Sequence, residues 1–222
     1  MAETRRCRAP AAIVPAAFMK KLAHQFFSQE ASDLAPALIG KILVHQVGPE
    51  RLRARIVETE AYLGPADLAS HASKGRTRRT EVMFGPAGHA YVYFIYGMYE
   101  MFNIVAGPAG SAHAVLVRAA EPLDGWEANL SGPGRLARRM RIALADNGID
   151  LTEDKLFLLD ESLGPRRIGV SKRIGVDYAK RWKHAMLRFF DADSDAVSCR
   201  PKRVRLLTPP ACAPAPQSEP DR

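Results

Sequence analysis

Two carboxylates and a tyrosine occupy alternate positions in Glu58-Thr59-Glu60-Ala61-Tyr62. An aromatic cluster follows in Tyr91-Val92-Tyr93-Phe94-Ile95-Tyr96-Gly97-Met98-Tyr99. Carboxylates beside stacked aromatics suit a site that holds a flat, electron-poor ring and delivers water to it. On a predicted strand over 52–62, strict alternation puts Glu58, Glu60 and Tyr62 on the same face as Leu52, Ala54 and Ile56. A carboxylate on an apolar face is costly unless it is paired or used. A single one is usually half of a structural ion pair; two of them ending in a tyrosine point to chemistry. The expected partner is Arg118, which closes the apolar run Ala114-Val115-Leu116-Val117. A cation beside a buried carboxylate lowers its pKa against the rise that burial causes. The expectation is a carboxylate ionised at neutral pH that can orient and deprotonate water.

The aromatic run holds four tyrosines, and most clusters of this kind are core. Tyr91 and Tyr93 share one face of a predicted strand, but Tyr96 sits beside Gly97 and Met98, where the strand should turn. A large aromatic at a rim is poorly placed for a core and well placed to enter a gap between bases. Stacking on an unpaired base is worth about 1–3 kcal/mol, comparable with the cost of unstacking one. His71 precedes this run. None of the six histidines stands in a metal-ligand spacing, so no metal is expected, and a hydrogen bond to a bound ring is the role left for His71.

Basic side chains cluster around Gly or Gly-Pro turns: Arg76, Arg78 and Arg79; Arg135, Arg138, Arg139 and Arg141; Arg166, Arg167, Lys172 and Arg173. Each alone is usually a solvated face. Together they form a set that can grip phosphates, because backbone N–H groups are accessible at such turns. The net charge of +8 over 222 residues agrees with a polyanionic partner, although charge by itself says little about mechanism. The residues thus point to an enzyme acting on a base taken out of a nucleic acid. A catalytically silent nucleic-acid-binding module and an RNA-modifying accessory domain are the alternatives.

The elements that must position these residues read as one domain over 18–208, between a basic tail (1–17) and a Pro/Ala-rich tail (209–222), both expected to be disordered. A helix is predicted from an N-cap at Ser28 to Gly40, and strands over 42–47 and 52–62 meet at Gly48-Pro49-Glu50. A long polar segment, 64–88, has little period of its own. Further strands are predicted at 91–95, 103–105, 114–119, 156–159 and 187–190, with a basic amphipathic helix over 135–144. Strands and helices mix without βαβ alternation, which predicts an α+β fold with a largely antiparallel sheet. Three scattered cysteines suggest a reducing compartment, and no run of about 18 apolar residues suggests a membrane span. The N-terminal Arg-rich stretch imitates a signal peptide, but Pro10 and Pro15 interrupt its apolar part.

Several motifs in one order carry a resemblance: Arg55-Ile56-Val57-Glu58-Thr59-Glu60-Ala61-Tyr62-Leu63-Gly64-Pro65, His71, Met83-Phe84, Tyr91 to Tyr99, Asn103, Arg118-Ala119-Ala120-Glu121-Pro122, Ser131-Gly132-Pro133 and Arg173-Ile174-Gly175-Val176. From about Phe26 to Phe190 the chain resembles the 3-methyladenine (alkyladenine) DNA glycosylase family. The resemblance implies a compact α+β domain around a curved antiparallel sheet, like the C-terminal domain of methionyl-tRNA formyltransferase. It implies a monofunctional hydrolase, without cofactor or metal, that acts as a monomer on duplex DNA containing damaged purines. Such an enzyme would work in the cytoplasm of a bacterium, at the nucleoid, or in a nucleus, and not at a membrane. Glu60 would be the general base, holding a water with Arg118 and the carbonyl of Ile174. Tyr62 and Tyr93 would sandwich the flipped base beside His71, and Asn103 would reject the 2-amino group of guanine. Tyr96, with Met98 beside it, would fill the hole in the duplex. The DNA backbone would lie on Arg76, Arg79, Arg135 and Arg173. The chain departs from many relatives at Arg78, where proline is common, at Met101-Phe102, near which cysteine is common, and in the turn Gly107-Pro108-Ala109-Gly110.

Overall fold

The structure, a computed structural model, describes residues 20–160 and 167–207. The expected tails and Arg166 lie outside these residues. In chain order come β1 (Lys20–Lys21), α1 (His24–Phe27), α2 (Ala31–Ala37), β2 (Ile42–Val47), β3 (Glu50–Leu63), β4 (Ala90–Ile95), β5 (Tyr99–Ala106), β6 (His113–Pro122), α3 (Pro133–Arg139), β7 (Leu156–Asp160), β8 (Ile168–Ser171), β9 (Arg188–Asp191) and β10 (Arg205–Leu206). All strand pairings are antiparallel, in the order β1-β7-β2-β3-β6-β5-β4, with β9 joined to β3 and the chain β9-β8-β10 branching from it. The class is α+β, in agreement with the sequence.

β3 is the axis of the molecule. Its first half pairs with β2, and its second half pairs with β9 at Glu58–Glu60. The partition occurs at a bulge: against β6, Ile56 faces Ala120, Glu58 faces Ala119 and Thr59 faces Val117, so the register shifts twice around Val57. An extra residue in a strand reverses the face of everything after it. This corrects the strict alternation read from the sequence. Ala54, Ile56 and Ala61 face the main core, and the Thr59 hydroxyl donates to the Ala35 carbonyl of α2 at 2.8 Å. Glu58, Glu60 and Tyr62 turn to the opposite face, which in the first half of β3 carries Arg55. Both Glu60 and Arg118 therefore stand in strand interiors, not at strand ends.

The main core lies between the sheet and its helices and includes Phe27, Leu34, Leu38, Phe102, Ile104, Val115, Val117 and Leu136. The helix predicted from Ser28 is two helices. Ser28 closes α1, its hydroxyl donating to the His24 carbonyl at 3.0 Å, and α2 starts after Glu30. Gly40, at φ 91°, supplies the left-handed turn into β2. The predicted basic helix over 135–144 is shorter, starting at Pro133 and ending at Arg139. The segment from Gly64 to Gly88 is built from three short 3-10 turns: Gly64–Ala66, His71–Lys74 and Glu81–Phe84. Asp67 holds its start, accepting from the backbone N–H groups of Leu63 at 3.1 Å and Ala69 at 3.0 Å.

Candidate active site

On the face opposite the main core a cavity of about 270 Å³ opens between β3, β4, β5, β6 and the 173–178 loop. Tyr62, His71, Tyr91, Tyr93, Met101, Asn103, Arg118 and Ile174 are among the residues of its wall. Glu60 lies just behind that wall with no exposed surface. One carboxylate oxygen, Oε1, accepts from the Ile174 backbone N–H at 2.8 Å. The other, Oε2, accepts from the Tyr62 hydroxyl at 2.9 Å and lies 3.4 Å from Arg118 Nη1. An ionised carboxylate offers about four lone-pair positions. Two accept hydrogen bonds and Arg118 lies against Oε2 as an ion pair, which leaves a position on Oε1 for a further donor such as water.

Glu58, two residues earlier, has a different environment. Its Oε1 accepts from Arg118 Nε at 3.0 Å, Arg188 Nε at 2.7 Å and the Ser198 hydroxyl at 2.9 Å, and its Oε2 accepts from the Ser198 backbone N–H at 2.6 Å. Burial pushes the Glu58 carboxyl up, but Arg188, Arg118 and the Ser198 bonds outweigh it and hold it below the usual carboxylate range. For Glu60 the balance is opposite. Burial raises it, Glu58 adds a like charge, and Arg118, the Ile174 N–H and the Tyr62 hydroxyl do not fully cancel the rise. Arg118 depresses Glu60 as expected from the sequence, but burial outweighs it and the net direction is upward. Two carboxylates separated by one residue are driven apart in pKa, an arrangement typical of acid–base sites.

The ring-bearing wall is tightly coupled. His71 Nδ1 and the Tyr91 hydroxyl are hydrogen-bonded at 2.9 Å, and the His71 and Tyr93 rings meet edge to face at 4.5 Å. Burial and then Arg79 lower the His71 pKa to about 4, so the imidazole is neutral at physiological pH. Asn103, buried on β5, donates from Nδ2 to the Tyr91 carbonyl at 3.0 Å and the Met101 carbonyl at 3.3 Å, which fixes its amide on the cavity wall. The β4–β5 hairpin closes through Tyr96 at φ 55° and Gly97 at φ 67°, with the Met98 N–H donating to the Ile95 carbonyl. A β-turn with both central φ values positive favours Asn-Gly, so a tyrosine at its first central position is strained. Tyr96 is 77% exposed and Met98 63% exposed at this tip, with Tyr96 on the cavity rim.

The basic residues singled out in the sequence do not act as one set. Arg76 is exposed and forks onto Glu81, with Nε to Oε2 at 2.9 Å. Arg79 is exposed, with its guanidinium over the Tyr93 ring, and Arg135 is exposed on α3. Arg173, expected at the DNA backbone, is the exception. Its side chain is fully buried, bonded to both oxygens of Asp67 and to the Ala61 carbonyl. Taking it to a phosphate would break a buried ion pair, so the structure corrects that assignment. Asp67, Arg188 and Ser198 were not identified from the sequence. They are distant in sequence from the groups they hold, and only the fold supplies the signal. Among the described residues no group of three or more His, Cys, Asp or Glu side chains could hold a metal ion.

Residues 25–195 match the methylpurine-DNA glycosylase family. A 3-methyladenine DNA glycosylase by name from Legionella pneumophila (strain Lens) is 47% identical over 182 residues, covering 81% of this chain and 99% of the relative. A relative of the same name from Anaeromyxobacter sp. (strain Fw109-5) is 49% identical over 188 residues, covering 84% of this chain and 97% of its own length. Another, from Desulfitobacterium hafniense (strain Y51), is 39% identical over 203 residues, covering 82% of this chain and all of the relative. The matched region contains the cavity and the buried carboxylates, and the chain belongs to the methylpurine-DNA glycosylase family, hydrolases of N-glycosyl bonds that serve DNA repair.

Proposed function

We propose that the chain is a monofunctional glycosylase that turns alkylated or deaminated purines, among them 3-methyladenine, 7-methylguanine and hypoxanthine, out of duplex DNA and hydrolyses their N-glycosidic bonds at the start of base excision repair. The observation that carries this reading is the buried Glu60, hydrogen-bonded to Tyr62 and Ile174 and ion-paired with Arg118, all three in the cavity wall. The cavity volume is near the lower end of small-molecule sites, about 300–1,000 Å³, which suits one base.

In this reading Tyr96 and Met98 enter the duplex while the nucleotide rotates out, which is easiest where pairing is already weak. Tyr62 and Tyr93 stack on the base. Water lies between Glu60 Oε1, Arg118 and the Ile174 carbonyl. Glu60 takes a proton from it, the water oxygen bonds to the anomeric carbon, and the glycosidic electron pair leaves with the base. An alkylated purine departs neutral because it was cationic. Hypoxanthine must gain a proton as it departs and should be slower. Exposed Arg76, Arg79 and Arg135 supply phosphate contacts without reading sequence. The protein acts as a monomer, without cofactor, at the chromosome; among the described residues no helix is long and apolar enough to cross a membrane. The same reading includes a likeness of the sheet to the C-terminal domain of methionyl-tRNA formyltransferase, supported by its bulged antiparallel strands.

The test is incubation of purified protein with duplex oligonucleotides carrying one defined lesion, followed by alkaline cleavage. Strand breaks at 7-methylguanine and hypoxanthine are expected, with none in undamaged duplex and no adduct trapped by borohydride. Intact strands with every purine lesion would refute the reading.

A further inference from the structure

Two guanidinium groups stand against the two tyrosines to which the proposed function assigns base stacking. The Arg173 guanidinium lies 4.7 Å from the centre of the Tyr62 ring, and that of Arg79 lies 5.0 Å from the centre of the Tyr93 ring. Neither arginine belongs to the cavity wall, although both tyrosines do. Each cation therefore backs its ring from outside the cavity. Arg173 is locked there, with Nη1 donating to the Ala61 carbonyl at 2.9 Å and Nη2 to Asp67 Oδ1 at 2.9 Å. Arg79 is anchored by a bond from Nη2 to the Phe94 carbonyl at 3.3 Å and has no acidic partner among the described residues.

We propose that Arg79 is a specificity-determining residue that makes the stacking face of Tyr93 a poorer partner for a cationic purine, shifting the enzyme toward neutral lesions. The inference rests on the reading that these two tyrosines hold the extruded base. An aromatic face attracts a cation through the negative face of its quadrupole. A cation already held on one face draws on that density, and its own charge repels a second cation across the ring. Arg79 is exposed, so solvent screens part of this repulsion and the effect is modest. The rest of the site does not reverse this. Glu60 is paired with Arg118, Asp67 with Arg173, and His71 is neutral. Arg79 has no carboxylate partner among the described residues, so on the Tyr93 side its charge is offset only where a DNA phosphate reaches it. A deaminated purine without charge experiences none of this repulsion.

Arg79 is the residue to test, because it is exposed and its replacement leaves the core intact. Single-turnover excision of 7-methylguanine, which is cationic, and hypoxanthine, which is neutral, would be measured at pH 7.5 in one duplex sequence, with saturating wild-type, R79Q or R79K protein. Loss of a phosphate contact acts on both lesions alike and cancels in the ratio of the two rates. We expect the ratio of 7-methylguanine to hypoxanthine excision to rise about twofold to fivefold in R79Q, the size of one exposed cation–π contact, and to return toward wild type in R79K. Equal slowing of both lesions, a fall in the ratio, or a rise shared by R79K overturns the inference. Wild-type protein that releases neither base overturns the glycosylase reading and this inference with it, whereas equal slowing by R79Q overturns the inference alone.

Discussion

Glu60 and Glu58 have the same side chain, separated by one residue, and opposite pKa directions. Glu58 accepts four hydrogen bonds from Arg118, Arg188 and Ser198, and none of them is available to substrate. Glu60 accepts only two, from Tyr62 and Ile174, and keeps a position on Oε1 without a partner. Glu60→Gln preserves shape and loses the ability to take a proton. Excision should fall by at least 100-fold, while binding to lesion-containing duplex changes little in a gel-shift titration. Activity within tenfold of wild type would rule Glu60 out as the base. Because burial raises Glu60, the acid limb of the single-turnover pH profile should have its midpoint above the usual glutamate value of 4.5. The base must be ionised, so activity is lost as pH falls through that midpoint. Glu58→Gln removes a like charge beside Glu60 and frees Arg118 Nε. Both changes favour ionised Glu60, so the limb should move to lower pH, with a smaller loss in plateau rate than Glu60→Gln causes. A limb that moves up instead would show that Glu58 does not act on Glu60 by charge. Asn103 offers a separate test. Its amide is pinned on the cavity wall by the Tyr91 and Met101 carbonyls, where it can crowd the 2-amino group of guanine. Asn103→Ser should release undamaged guanine measurably faster, with hypoxanthine excision changed much less. Unchanged guanine release with collapsed hypoxanthine excision would make Asn103 a positive contact instead.

The hairpin of β4 and β5 presents the exposed aromatic tip, and its backbone carries the strain. A tyrosine at φ 55° in the first central position of the turn costs on the order of 1 kcal/mol relative to glycine. Tyr96→Gly should therefore raise stability in a urea titration by roughly 0.5–1 kcal/mol, while excision from a fully paired duplex falls more than tenfold. Loss of stability, or unchanged excision, would remove the argument that strain is retained here for function. This turn could be read in the sequence because Tyr96-Gly97 sits between two alternating runs. The faces of β3 could not. Period-two alternation carries no mark for the bulge at Val57, so the sequence placed Glu58 and Glu60 on the core side, whereas the register shift turns them to the opposite face of the sheet. The N-cap expected at Ser28 failed for a local reason: its hydroxyl is used backward, on the His24 carbonyl, to end α1. The segment 64–88 has no period because it consists of single 3-10 turns, and its anchor, Asp67, binds a side chain 106 residues away. Interactions of that range leave no pattern in local sequence, and the same is true of Arg188 and Ser198 around Glu58.

At the scale of the whole molecule, the site depends on chain that lies well beyond the last strand of its cavity. After β9 the backbone folds back along β3. Arg55 Nη1 donates to Asp191 Oδ2 at 2.8 Å, Arg188 Nη2 donates to the Cys199 carbonyl at 2.6 Å, and Ser198 gives two bonds to Glu58. β10 then adds to β8. A protein spanning Ala17 to Leu207 keeps all of these contacts and should excise lesions at the wild-type rate, with lower affinity at high salt where removed arginines had added phosphate contacts. A chain ending at Val197 should behave differently. The buried Glu58 carboxylate would lose both Ser198 donors, and a hydrogen bond to a charged group contributes about 1.5–3 kcal/mol. Arg188 would lose its carbonyl partner, and the Arg118 guanidinium, held on one side by Glu58, would no longer be fixed against Glu60. We expect this shorter chain to unfold several degrees lower by differential scanning calorimetry. At 20 °C, still folded by circular dichroism, it should lose more than tenfold in single-turnover excision, with its acid limb displaced from that of the longer chain. Equal activity and stability for the two truncations would show that the Ser198 contacts do not support the site, and that Arg118 is held in place by β6 and Arg188 without them.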